Sequence, residues 1–355
     1  MSILTHERLR HARPVELKRM LEWDIRESAV DTSFVRTPDG WELAINHYRQ
    51  AGHPARHELP VLLCHGLGSN RLAYDIQPDL SLPRWLVEQG YDVYVLELRG
   101  HGLSQKPSTE ADHHWGWGMH DYSDLDIPTV IQFVLKHTGK PRLHYIGHSM
   151  GGILLYKHAA QQRSGVQSGI AIGSSLNYAG QPTLFHTIVP LAPLTHLFRA
   201  IPLHWSGLLT GKLAKLHQGL VDPSFVNPAN IDRTVFSKLM HNVLHPVSPR
   251  VLRDLSHAIT GKGMRNRQGK KYESLLAENG YPFPILAISG EADTQCAPCT
   301  AARFGTAHQS FGKVHGHRED YGHHDLLVGR HAAKEVWPVI LQWLDQNDEL
   351  AEQRT

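Results

Sequence analysis

Short apolar runs punctuated by glycine and proline recur along this chain, and between them apolar residues return every three or four positions. Leu59 to Cys64, Tyr91 to Leu98, Leu143 to Ile146, Val166 to Gly173 and Phe283 to Ser289 are largely apolar runs, the pattern of parallel strands buried on both faces. His144 interrupts the third run, so the turn signals that flank it carry part of that assignment. Helical spacing over Leu82 to Gln89 stops at Gly90, and over Tyr122 to Thr138 it stops at Gly139-Lys140-Pro141. Further helices are predicted over Ile153 to Ala160 and Ala332 to Leu344, and a last strand over Gly312 to His315. Two alternating runs, Thr32 to Arg36 and Glu42 to Tyr48, are joined by Thr37-Pro38-Asp39-Gly40 and predict an antiparallel edge hairpin.

Strands alternating with helices predict an α/β protein whose mostly parallel sheet is flanked by helices. The alternation stops over residues 176–281, where helical spacing, many prolines and an apolar opening, Leu184 to Leu194, predict a helical cap inserted over the C-terminal edge of the sheet. Residues 1–30 are charged and loosely amphipathic and predict an N-terminal helical extension lying on the core. The expected organisation is therefore extension 1–30, core 31–175, cap 176–281 and core again over 282–355.

Composition adds mainly exclusions. The 355 residues are 41% hydrophobic and balance 36 Lys and Arg against 34 Asp and Glu, so charge gives no reason to expect a nucleic-acid partner. The 27 histidines are scattered from His6 to His331 rather than grouped as one metal site. No 18 apolar residues run together and no apolar leader opens the chain, so the expectation is a cytoplasmic protein without an integral membrane segment. Three cysteines do not make a disulfide framework. Cys296-Ala297-Pro298-Cys299 has metal or redox spacing but lacks a second pair, and no metal or cofactor is expected.

The chemistry concentrates in Tyr145-Ile146-Gly147-His148-Ser149-Met150-Gly151-Gly152. A strand feeding Gly-x-Ser-x-Gly and then a helix is a nucleophile elbow, in which a sharp turn holds a serine in a strained conformation above the sheet. Ser149 is the candidate nucleophile, and the Met150 N–H at the helix start is a candidate oxyanion donor. His65-Gly66-Leu67-Gly68-Ser69-Asn70 follows the first buried strand and offers a second donor, the Leu67 N–H. No carboxylate ends Val166 to Gly173, whereas Gly290-Glu291-Ala292-Asp293 follows Phe283 to Ser289. Asp293 is the candidate carboxylate that orients an imidazole, with Glu291 as its competitor. Asp320 to Leu327 supplies the imidazole from His323 or His324. Arg99-Gly100-His101-Gly102 is read as a bracing loop rather than a catalytic one, and His113 to Gly118 as an aromatic, flexible loop at the rim of a pocket.

The order Ser149, Asp293, His323 is the order of the α/β-hydrolase family, and four segments resemble the acid-lipase and esterase branch of that family. His65-Gly66-Leu67-Gly68 resembles its oxyanion loop. Tyr122 to Pro128 through Gly139, followed by Leu143 to Ser149, is similar to its helix and elbow. Gly290 to Asp293 resembles its acid loop, and Tyr321 to Leu327 its histidine loop, where the catalytic histidine lies two before an aspartate. That alignment selects His323. The resemblance implies a serine carboxylic-ester hydrolase acting on a small-molecule apolar ester through an acyl-enzyme. A thioesterase or acyltransferase would share every catalytic residue, and a non-catalytic ligand-binding relative would share the fold. Secreted acid lipases carry a signal peptide that has no counterpart here, and no cap segment matches theirs residue by residue.

Overall fold

The computed structural model describes residues 10–23, 29, 31–50, 55–108, 114–180, 198–216 and 222–352. Eight strands form one sheet in the order β1 (Asp31–Arg36), β2 (Glu42–Tyr48), β6 (Val93–Glu97), β3 (Val61–Cys64), β7 (Leu143–His148), β8 (Val166–Ile172), β9 (Ile285–Gly290) and β10 (Ala307–Phe311). The first two pairings in that order, β1 with β2 and β2 with β6, are antiparallel, and all the rest are parallel. A separate two-stranded ribbon pairs β4 (Asp75–Gln77) with β5 (Leu80–Ser81).

Every residue of β3, β6, β7, β8 and β9 is buried. Their largely apolar runs follow from cover on both faces, since neither face needs polar side chains. One face carries the helices Ile127–Thr138 and Met150–Ala160, through Val130, Val134, Ile153 and Leu154. The other carries Leu82–Glu88 and the terminal Trp337–Glu352, through Leu82, Leu86, Trp337 and Ile340. His144 is tolerated inside β7 because its ring meets the Ser168 hydroxyl at 2.8 Å and the Asp348 carboxylate at 3.0 Å.

Four features depart from the sequence pattern. The last strand is Ala307–Phe311, and Lys313–His315, expected to be extended, is a single 3-10 turn. The strand lies at the sheet edge, where its outward positions stay polar, so its apolar signal is too weak to stand out. The helix expected from Tyr122 opens with a π-helical turn, Tyr122–Asp126, and becomes regular only at Ile127. The helix expected over Ala332 to Leu344 is broken at Val336, just before Pro338, into Ala332–Glu335 and Trp337–Glu352. Trp117, expected on a flexible pocket rim, is buried with its ring 5.1 Å from that of Trp41, while His113 lies outside the described residues.

Between β8 and β9 the described chain is helical, with Leu203–Leu216, Arg233–Val243, Pro249–Ile259 and Tyr272–Asn279. The apolar opening Leu184 to Leu194 lies outside the described residues. Before β1, the helix Pro14–Glu22 sits against Arg233–Val243, and Trp23 approaches His241 with ring centroids 5.1 Å apart. No helix among the described residues is long and apolar enough to cross a membrane.

Candidate active site

The parallel strands β3, β7, β8 and β9 all end on the same edge, and four loops meet there. Strand β7 runs into Ser149, and the following helix begins at Met150. Ser149 has φ 53° and ψ −119°, a left-handed conformation that L side chains rarely adopt and that costs on the order of 1–3 kcal/mol. Glycines on either side make the turn sterically feasible. A Cβ at Gly147 would lie 2.4 Å from the Gly151 carbonyl, and one at Gly151 only 2.1 Å from the Cys64 carbonyl oxygen. The Ser149 side chain is half-buried, and its backbone N–H donates to the Ile172 carbonyl at the end of β8 over 2.8 Å.

Asp293 and His323 come together beside that strand end. His323 Nδ1 donates to Asp293 Oδ2 over 2.8 Å, and both residues are buried. The second carboxylate oxygen accepts the backbone N–H groups of Gln295 at 2.8 Å and Cys296 at 2.9 Å, which fixes its rotation. Two glycines that the sequence reading named only as strand-end residues make room for the pair. At Gly173, which follows β8 at φ 58°, a Cβ would lie 3.0 Å from His323 Nδ1 and 3.2 Å from Asp293 Oδ2. At Gly290 a Cβ would lie 2.1 Å from the Tyr321 carbonyl oxygen, so the histidine loop crosses directly over the acid loop. A glycine ending each strand was the available signal. Among the described residues no hydrogen bond joins the Ser149 hydroxyl to the His323 ring.

The competing residues point elsewhere. Glu291 turns outward to Ser310 at 2.7 Å and His315 at 2.9 Å. His324 is buried against Phe225 with ring centroids 6.0 Å apart, and its Nδ1 has no partner. Burial, and then His323 beside it, push the His324 imidazole down to about 3. His101 Nδ1 bonds the Arg99 carbonyl at 2.8 Å, while Arg99 Nε reaches buried Asp126 at 2.9 Å and an Arg99 terminal nitrogen reaches Asp39 at 3.1 Å. This loop braces its neighbours.

The loop after β3 passes against Ser149, since a Cβ at Gly66 would lie 3.0 Å from the Ser149 Cβ. Its path is fixed by His65, whose Nε2 accepts the Leu98 N–H at 3.1 Å and whose Nδ1 therefore donates to the Gly66 carbonyl at 2.9 Å. Burial holds that imidazole neutral, with its titration pushed down to about 4. From the other side the His245 N–H donates to the Gly68 carbonyl over 2.7 Å. Among the described residues, neither the Leu67 nor the Met150 N–H donates to another backbone carbonyl. Nor does any group of three or more His, Cys, Asp or Glu side chains among them have the arrangement of a metal site. The surroundings of His323 thus hold neutral imidazoles, with Asp293 as the carboxylate bonded to its ring.

A family model described as the alpha/beta hydrolase fold matches residues 60–329. The chain belongs to the α/β-hydrolase family. Among its relatives, the chain is 36% identical to Lipase 1 of Drosophila melanogaster over 121 residues, 33% of this chain and 26% of that one. It is 29% identical to the gastric triacylglycerol lipase of Bos taurus over 169 residues, 46% of this chain and 39% of the other. Lipase member K of Homo sapiens is 25% identical over 228 residues, 60% of this chain and 53% of that protein. The α/β hydrolase described here thus spans between about a quarter and a half of the length of these curated relatives. Among solved structures it shares its fold with a thermophilic esterase from Thermogutta terrifontis at a TM-score of 0.56 and 19% identity, covering 90% of this chain and 100% of that one.

Proposed function

We propose that this α/β hydrolase is a serine carboxylic-ester hydrolase that acts on an apolar ester through an acyl-enzyme. The observation that carries the reading is the Asp293–His323 hydrogen bond of 2.8 Å beside a serine held at φ 53°. In this mechanism the Ser149 hydroxyl oxygen attacks the ester carbonyl while His323 Nε2 takes its proton. Asp293 keeps the His323 Nδ1–H facing away from the serine, so Nε2 presents its lone pair, and stabilises the imidazolium that forms. The Leu67 and Met150 N–H groups bind the tetrahedral oxyanion, at about 3 kcal/mol for one such donor. Collapse expels the alcohol, which takes the proton from His323, and leaves Ser149 acylated. Water then attacks the acyl group by the same route and restores the serine. The named lipases among the relatives support an ester as substrate.

Residues 176–281 serve as the cap in this reading, supported by the helices between β8 and β9 and by the His245 contact to the oxyanion loop. A cytoplasmic location is part of the proposal and fits the free thiols of Cys64, Cys296 and Cys299. A fluorophosphonate probe tests the proposal: labelling of Ser149 in wild type that disappears in His323→Ala supports it. Folded wild-type protein that takes up no label would leave a ligand-binding relative of the hydrolases as the better reading.

A further inference from the structure

His148, the residue between Gly147 and the nucleophile, is fully buried, and its Nε2 lies 3.0 Å from the carbonyl oxygen of His323. A carbonyl only accepts, so Nε2 carries the proton. In a neutral ring Nδ1 is then a bare lone pair. That atom has no partner, and it faces the oxyanion loop, 3.4 Å from where a Cβ on Gly66 would sit. Charging the ring would place a second proton in this buried corner beside His323 and His324, whose rings lie 4.7 and 4.9 Å away. Burial, reinforced by those two rings, pushes its titration far below the ordinary histidine range. His148 is therefore a donor of fixed tautomer.

Its acceptor is the backbone of the proton-carrying residue itself. His323 is held at its ring by Asp293, and the next residue is held by the His324 N–H bond to Phe225, 2.9 Å. Without His148 the His323 carbonyl would lose its partner inside the loop that must present Nε2 to the serine. We infer that His148 is a positioning residue, whose Nε2–H bond to the His323 carbonyl ties the histidine loop to the elbow and sets the imidazole over Ser149. This inference rests on the triad proposed above. The contact joins residues 175 positions apart, between the strand that carries the nucleophile and the loop that carries its base. It thus couples two of the parts whose mutual placement decides the rate, where an error of about 1 Å can cost about 10²-fold.

Two readouts on His148→Ala and His148→Gln test it. One is the rate of Ser149 labelling by a fluorophosphonate. The other is the low-field proton resonance of the His323 Nδ1–H in its bond to Asp293, which needs no turnover. The alanine variant should label about 10²-fold more slowly and lose or broaden that resonance. Glutamine offers an N–H in place of Nε2 and should recover most of both. An alanine variant with wild-type labelling and an unchanged resonance overturns the inference. Should His148→Ala fail to fold, His148→Gln decides by itself: normal values support a donor role, and a folded protein with both readouts lost contradicts it. If wild type itself does not label, the serine mechanism is wrong, and the resonance alone then decides whether His148 positions His323.

Discussion

Asp293 grips His323 with one oxygen while its other oxygen is tied to the backbone of its own loop. Oδ2 accepts the ring Nδ1–H at 2.8 Å, and Oδ1 accepts the Gln295 and Cys296 N–H groups. The carboxylate cannot rotate without breaking two bonds, so the imbalance between Nδ1 and Nε2 is built into the fold. Asp293→Asn preserves shape but can stabilise the wrong tautomer, and turnover should fall by about 10⁴ with the melting temperature nearly unchanged. Steady-state kinetics and a thermal melt on the same preparation check this. Retention of most activity would move the orienting role to Glu291 or another carboxylate.

The two adjacent histidines should separate cleanly. His323→Ala removes the base and should abolish ester turnover. His324→Ala removes a ring packed on Phe225 and unconnected to Asp293, so kcat should stay within about tenfold of wild type. A reversal of the two results would contradict the assignment of the base.

The elbow depends on the missing side chain at Gly151. A methyl group there would lie 2.1 Å from the Cys64 carbonyl oxygen, a backbone atom at the end of β3 that has no room to retreat. Gly151→Ala should destabilise the fold by at least about 1–3 kcal/mol, and it should slow Ser149 labelling more than it lowers stability. Urea unfolding alongside labelling rates reads both. Gly116, where a Cβ would meet nothing within 4 Å and which like Gly151 has no positive φ, is the matched control.

Acid should destabilise the protein from about pH 6.5 downward. Burial is the chief cause holding His65 and His158 down to about 4 and His101 and His324 down to about 3. Between about pH 4 and 6.5 the unfolded chain holds a proton on each of these rings that the folded chain lacks, so stability rises with pH across that window. Each ring contributes up to about 1.4 kcal/mol per pH unit. Burial raises Asp126 and Asp325 to about 6, and below that pH these two carboxyls oppose the trend. Four rings outweigh two carboxyls, so urea midpoints should fall between pH 7 and pH 5, and His158→Gln, remote from the candidate site, should flatten the slope. A midpoint independent of pH in that range would contradict the neutral state of the four rings.

What the chain discloses in one dimension is what local chemistry enforces. The elbow is legible because only glycines tolerate the contacts around Ser149, and the hairpin is legible because Gly40 at φ 90° closes its turn. Strands covered on both faces announce themselves through largely apolar runs, even where His144 or Gln167 and Ser168 interrupt them. The edge strand Ala307–Phe311 does not, because its outward positions remain polar. Separating Asp293 from Glu291 requires knowing that the loop turns back after Gly290, a fact set by the crossing Tyr321 backbone. Trp117 is equally opaque: flanked by glycines it reads as loop, and its contacts with Trp41, Trp115 and Tyr122 make it core. The bond from His148 to the His323 carbonyl spans the fold and leaves no periodic or compositional trace.

The central claim is that Ser149 is an acylated nucleophile. It is tested most directly by hydrolysis of p-nitrophenyl esters, from acetyl to long acyl chains, by wild type and Ser149→Ala. The account predicts turnover by wild type that drops on the order of 10⁶ in the variant, with the preferred chain length reporting the size of the acyl pocket. Wild-type protein that cleaves none of the series, or a Ser149→Ala variant that still cleaves it, would contradict the account.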